Sequence, residues 1–150
     1  MAGTSPNTVM LSARDHYMMS EGIVAASNTI YPGMLVIFSA GFLVPSNAAA
    51  DVDSPRVFAF ENENFGEDLN TPYTQGDTCY ILYPHAGALI YGYLETGATV
   101  AAGAPLESNG AGLLQPLTTG RIIGFAEEAL NNSGGGAGPA GSTRIRVRVA

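Results

Sequence analysis

The feature that most constrains the fold is a phrase of turns and strands that occurs twice. Thr29-Ile-Tyr-Pro-Gly33 is matched by Thr99-Val-Ala-Ala-Gly103, and Ser39-Ala-Gly-Phe-Leu-Val-Pro45 by Gly110-Ala-Gly-Leu-Leu-Gln-Pro116. Arg56-Val-Phe-Ala-Phe60 is then matched by Arg121-Ile-Ile-Gly-Phe125, and Gly76-Asp-Thr78 by Gly141-Ser-Thr143. The matches keep their order while the spacing drifts, as when insertions fall in loops. Each copy reads as a Gly turn, a strand, a second Gly turn, a return ending in Pro, and a strand opened by Arg. Two such units with apolar faces close on one another as a small barrel or sandwich. The expectation is a mostly β fold: an N-terminal arm over residues 1–20 and one β domain over 21–150, with repeat units at about 29–82 and 99–149.

Strand signals fill the phrases. Ile23–Ala26 reads as a short strand. Met34–Phe38 is a continuous apolar run, and Cys79–Tyr83 and Ala88–Leu94 read the same way. Thr143–Ala150 alternates strictly, with Ile145, Val147 and Val149 on one face and Arg144, Arg146 and Arg148 on the other. The 19 Gly and 9 Pro supply the turns. No helix longer than a couple of turns is expected, although residues 11–20 or 124–130 have room for a short one. Residues 46–55, the acidic stretch Glu61–Gly76 and the Gly-rich stretch Asn131–Ser142 read as loops, the last of them flexible.

Residues 1–20 have no clean period and hold Met10, Met18 and Met19. They read either as a frayed end leading into a first strand or as an extended arm that orders on a partner. In the second case Met10, Tyr17, Met18 and Met19 supply adaptable apolar contacts.

Charge excludes several functions. Only 13% of residues are charged, the net charge is -7, and all six positive side chains are Arg: Arg14, Arg56, Arg121, Arg144, Arg146 and Arg148. A chain like this lacks the basic footprint for nucleic acid and the cationic helix for an anionic membrane. A surface so poor in charge suits assembly with other protein. The start, Met1–Pro6, does not read as a signal peptide, and Met34–Phe38 is too short to cross a bilayer, so synthesis and folding in a cytoplasm are expected.

Chemistry has few candidates. Gly97–Leu106 resembles a phrase of biotin and lipoyl carriers, but those acylate a lysine and this chain has none. His16 and His85 are the only histidines and Cys79 the only cysteine. An enzyme would need these and Asp15 to converge in a pocket. Neither His has metal-ligand spacing, and the acids of Glu61–Asp68 do not fit an EF-hand loop. No enzyme activity, metal or cofactor is expected. The Arg144, Arg146 and Arg148 face reads either as a charged edge that resists pairing or as a stripe meeting Glu61, Glu63 or Asp68 of a neighbouring copy.

Arg56-Val-Phe-Ala-Phe-Glu-Asn62, Tyr73-Thr-Gln-Gly-Asp77, the Gly97–Pro116 phrase and the strand-loop-strand from Ile122 to Val149 together resemble the capsid decoration (cement) proteins of tailed bacteriophages. The chain departs from that pattern at Ala102, Ala104 and Ala111, where the family favours Lys, Asp and an acid. The resemblance spans roughly residues 22–150. It implies a structural virion protein on the outer capsid surface that stabilises the shell by bridging major capsid protein subunits, commonly as a homotrimer, with the arm reaching to a neighbour. A head-fibre base or tail-tube component is the alternative in the same class. A small β-barrel enzyme or ligand carrier is the alternative outside it.

Overall fold

The computed structural model describes residues 6–47 and 55–150. The first five residues of the expected arm and most of the expected 46–55 loop lie outside the described residues. The fold is mostly β. Among the described residues twelve strands run in chain order: β1 (Tyr17–Ile23), β2 (Val36–Ser39), β3 (Phe42–Pro45), β4 (Phe58–Phe60), β5 (Thr78–Pro84), β6 (Leu89–Leu94), β7 (Thr99–Val100), β8 (Pro105–Ser108), β9 (Leu114–Pro116), β10 (Gly124–Ala126), β11 (Leu130–Asn131) and β12 (Thr143–Val149). Single-turn 3-10 helices sit at Arg14–His16, Glu63–Phe65 and Pro139–Gly141.

The duplication is structural. In the second unit β10-β12-β6-β9-β8 form a closed barrel. In the first, β1-β5-β4 form a sheet and β2-β3 a hairpin. Two single bridges join these into the same cycle: Leu35 to Phe58, and Val24 to Leu43 in parallel. Each pairing of the first unit has its counterpart in the second. β1 and β4 flank β5 antiparallel as β6 and β10 flank β12. The hairpin β2-β3 corresponds to β8-β9. The parallel Val24–Leu43 bridge corresponds to Leu94–Leu114, and the Ile30–Tyr73 bridge to β7-β11. Backbone bonds repeat too: Gly33 N to Ala59 O at 2.8 Å matches Gly103 N to Ala126 O at 2.7 Å.

The equivalence sharpens the sequence alignment in two ways. Ala59 corresponds to Ala126, so the Arg56–Phe60 and Arg121–Phe125 phrases are displaced by two residues; the even shift keeps the same side chains on the same face. The repeat also begins upstream of Thr29, since β1 and β6 belong to it. The signal was present as Gly22 and Gly92. A Cβ on Gly22 would lie 2.7 Å from Leu43 Cγ, and one on Gly92 3.3 Å from Leu114 Cδ1. Both glycines let a leucine from the facing hairpin cross the sheet.

Two apolar clusters result. One fills the closed barrel and the junction between units, with Leu94, Leu106, Leu114, Ile123, Ile145, Val147 and Val149 joined by Phe58, Phe60 and Leu82. The other fills the first unit, with Val24, Ile30, Val36, Leu43, Ala59, Cys79 and Ile81. β4 lies between them and is buried on both faces. β10, its counterpart, is a barrel wall and turns Phe125 outward.

The segment before β1 packs on this body. Val9 is fully buried, Met10 bridges Ile90, and Tyr91 N donates to Val9 O at 2.9 Å. The boundary expected at residue 20 falls inside β1, because Tyr17–Ile23 pairs residue for residue with β5. The strand expected at Ile23–Ala26 accordingly lies earlier. The Gly-rich stretch is pinned by buried Asn132, whose Nδ2 donates to Leu94 O (3.1 Å) and Glu95 O (2.9 Å) while Oδ1 accepts from Thr143 Oγ1 (2.7 Å). No helix of the described residues is long and apolar enough to cross a membrane.

Candidate partner-contact surfaces

Large apolar side chains stand exposed mainly on the first unit. Met18, Ile23, Phe38, Phe42 and Tyr83 are among them. They are neighbours for local reasons. The β1-β5 register sets Met18 opposite Tyr83. The hairpin β2-β3 leans on Gly22, where a Cβ would lie 2.8 Å from the Phe38 ring. Phe38 and Tyr83 share a cleft of about 400 Å³ with Val36, Leu43 and Val57, and Ile23 and Phe42 share another of about 330 Å³. The single-bridge seams of this unit leave these clefts at its rim.

An acidic groove lies on the other side of β1. Met19, Phe60 and Tyr80 line it with Glu21, Glu61 and Glu63. It adjoins a second cleft through Glu21 and Tyr80, where Phe65, Tyr73, Glu67 and Asp77 continue the acidic and aromatic lining. Burial pushes the Tyr73 hydroxyl well above its ordinary range, with Cys79, Glu67 and Glu61 adding to the effect, and it donates to Phe60 O at 2.5 Å. It is a fixed, neutral donor. Burial also pushes the Cys79 thiol up to about 12, with Asp77 adding to the effect, so it is an inert core group.

The residues singled out in the sequence take varied positions. Met18 and Met19 are exposed on opposite faces of β1. Met10 is half-buried, and Tyr17 is buried with its hydroxyl donating to Leu89 O at 2.5 Å, which makes it part of the core. Glu61 is buried and accepts from Val9 N at 3.1 Å. Glu63 pairs with Arg14 at 3.0 Å. Asp68 closes its own turn, accepting from Asn70 N at 2.9 Å and Thr71 Oγ1 at 3.1 Å.

The three arginines of β12 do not form one free stripe. Arg146 pairs with Glu128 at 3.0 Å and Arg148 with Glu127 at 2.6 Å, both within the chain. Arg144 instead turns toward the first unit. Its guanidinium lies 4.3 Å from the Tyr93 ring centroid and 5.5 Å from that of Tyr91, and it donates to Tyr91 O (3.3 Å) and Leu69 O (2.5 Å). β12 is flanked on both sides within the barrel, so it is not an edge.

His16 and His85 are brought together at one end of β1-β5, where His85 N donates to His16 O at 2.8 Å. Asp15 lies 4.0 Å from His16 Nε2. Cys79 sits toward the other end of β5, opposite Gly22. None of these four clefts is lined by either histidine. Among the described residues no group of three His, Cys, Asp or Glu is placed to hold a metal.

Two buried polar residues gave no signal in the sequence. Glu107 accepts from Gln115 Nε2 (2.8 Å), Thr118 Oγ1 (2.5 Å) and Gly120 N (2.6 Å). Burial opposes its charge, but the bonds from Thr118, Gln115 and Gly120 together outweigh that and hold the carboxyl below its ordinary value. Asn132 is the other.

No family model matches the chain, and no curated protein matches it. Among solved structures it is similar to the head fiber gp8.5 N base of bacteriophage phi29, at 16% identity and a TM-score of 0.53. The match covers 89% of this chain and 95% of that one. It is a likeness of fold, and it runs through both units of the repeat.

Proposed function

We propose that this chain is a structural protein of a tailed-phage virion, seated on the outer surface of the head. The observation that carries the reading is the fold likeness to a phage head fiber base over nearly the whole of both chains. The decoration-protein phrases of the sequence, found independently, point to the same part of the virion. Within that reading the apolar rim of the first unit is the face that docks on the shell, with Phe38 and Phe42 as its anchors. The acidic groove would take an Arg- or Lys-bearing segment of the major capsid protein. A second copy is a poor source of such a segment, because its six arginines are all engaged within their own chain.

Capsid stabilisation, a homotrimeric state and the absence of enzymatic activity belong to the same proposal. The fold likeness favours a fibre base; the sequence phrases favour a decoration clamp. Light scattering on the purified protein and mass spectrometry of purified heads test the common part. A small oligomer that adds to expanded heads supports it. Rings of six, or absence from the head fraction, would overturn it. Phe38→Asp with Phe42→Asp is expected to abolish addition to heads while leaving circular dichroism unchanged.

A further inference from the structure

A cleft at the junction of the two units has no part in the contacts above. It holds about 350 Å³ and is lined by Tyr31 and Asn70 from the first unit and by Tyr91, Tyr93, Ser142 and Arg144 from the second. Among the described residues that line it, none is acidic. In a chain of net charge -7 that is a local reversal of sign.

Among the described lining residues Arg144 alone is charged, and it is half-buried. Its hydrogen-bond partners are the backbone carbonyls of Tyr91 and Leu69. Among the described residues no carboxylate forms an ion pair with it. Burial disfavours its charge, and Tyr93, Tyr91 and Glu61 offset that only in part. A desolvated cation without an anion is a costly arrangement unless something supplies the anion.

The second observation is Ser142. It lines the cleft, is fully buried, and its Oγ has no hydrogen-bond partner. Native interiors rarely leave such a hydroxyl unpaired. An unpaired hydroxyl, a guanidinium held by carbonyls and rings but by no carboxylate ion pair, an amide from Asn70 and three tyrosine rings are the groups that recognise a sugar. The rings offer apolar faces for its C–H groups, and the polar groups meet its hydroxyls. The guanidinium fork fits a carboxylate or a phosphate oxygen pair.

We propose that this cleft binds an anionic saccharide, a sugar ring bearing a carboxylate or phosphate. The acidic group lies on Arg144, the ring rests against Tyr31, and hydroxyls reach Asn70 and Ser142. The site needs both units, since neither alone contributes all of these groups. On the outside of a virion such a site would hold the particle to the charged glycans of a cell surface.

The test is an amide NMR titration of the full chain with trigalacturonate, its neutral methyl ester and glucose 1-phosphate. Saturable shifts at Tyr31, Asn70, Ser142 and Thr143 are expected with one of the two anions, at least about tenfold weaker or lost with the ester. The responding anion identifies the acid. Tyr31→Ala and Arg144→Gln are each expected to lower affinity about tenfold. Ser142→Ala separates binding from folding: it should weaken binding while leaving the free protein as stable or more so, because it removes an unpaired buried hydroxyl. Absence of saturable shifts with all three probes, equal binding of the ester, or Ser142→Ala and Tyr31→Ala binding like the parent would overturn the proposal. Because head addition is read separately, failure here leaves the structural role standing.

Discussion

The two units have one strand plan and different closures. In the second, every seam of the barrel is part of one sheet, the parallel one through the pair Leu94–Leu114; in the first, two seams lie outside any sheet and hang on the single bridges Leu35–Phe58 and Val24–Leu43. The equivalent strands β4 and β10 differ accordingly. β4 lies between two apolar clusters, and β10 faces water on one side. One copy has become a sealed scaffold. The other leans on it, and its loosely closed rim carries most of the exposed apolar side chains. Duplication supplied the frame, and incomplete closure of one copy supplied a surface.

Four pairs of equivalent or contrasting positions test this asymmetry. The largest effect is expected at Phe58, buried between the clusters: Phe58→Ala should cost about 3–5 kcal/mol in urea unfolding, and Phe125→Ala, on the barrel exterior, under about 1 kcal/mol. Equal costs would mean that β4 is not a shared wall.

Next come the equivalent turn glycines ahead of the two hairpins. Gly33 and Gly103 both have positive φ, 98° and 86°. A Cβ on Gly33 would meet Tyr91 O at 2.6 Å and Arg144 Nη1 at 2.7 Å, whereas one on Gly103 meets nothing within 4 Å. Gly33→Ala should therefore cost about 3 kcal/mol and Gly103→Ala about 1 kcal/mol, the second being backbone strain alone. Similar values would place the junction elsewhere.

Glu107 has the partly exposed Ile37 as its counterpart in the first unit, so its effect is confined to the barrel. Glu107→Ala should cost about 2 kcal/mol by leaving donors unpaired. Its folded carboxyl lies below the ordinary 4.5, so the stability it contributes is present above that pH and is lost as pH falls through the lower folded value. Stability measured against pH should fall more steeply below pH 4.5 in the parent than in Glu107→Gln. Parallel curves would remove Glu107 from the barrel's acid response.

The smallest effect is at Ser27, which has φ of 62° where the second copy has Gly97 at 85°. Ser27→Gly should raise stability by about 0.5–1 kcal/mol, seen as a higher melting temperature. A loss would show that the serine is held there by more than its backbone.

The repeat was legible because turns are written in Gly and Pro, residue types that backbone geometry itself demands. Strands were legible as apolar runs, and β12 as alternation. What the alternation could not reveal was the destination of the polar face. Arg144, Arg146 and Arg148 share a parity but not an environment, since their partners Leu69, Glu128 and Glu127 lie far off in sequence or across the barrel wall. Tyr17 read as an adaptable contact because a buried tyrosine and an exposed one look alike until the acceptor, Leu89 O, is known. The junction cleft was illegible for the same reason: Tyr31, Asn70 and Arg144 meet only when the two copies dock.

The place of β12 between β6 and β10 also dictates an order of events. β1, β4 and β5 are all present once Pro84 has been made, and their sheet can form then. The barrel cannot close that early, because β12, the last of its own strands to be made, pairs with both β6 and β10. Until then β6 lacks its main antiparallel partner, and the chain carries a half-built core. Pairing over such sequence separations is slow and leaves sticky edges exposed. Folding of this molecule should therefore show a fast phase belonging to its less perfectly closed half and a slow one belonging to its most tightly closed half.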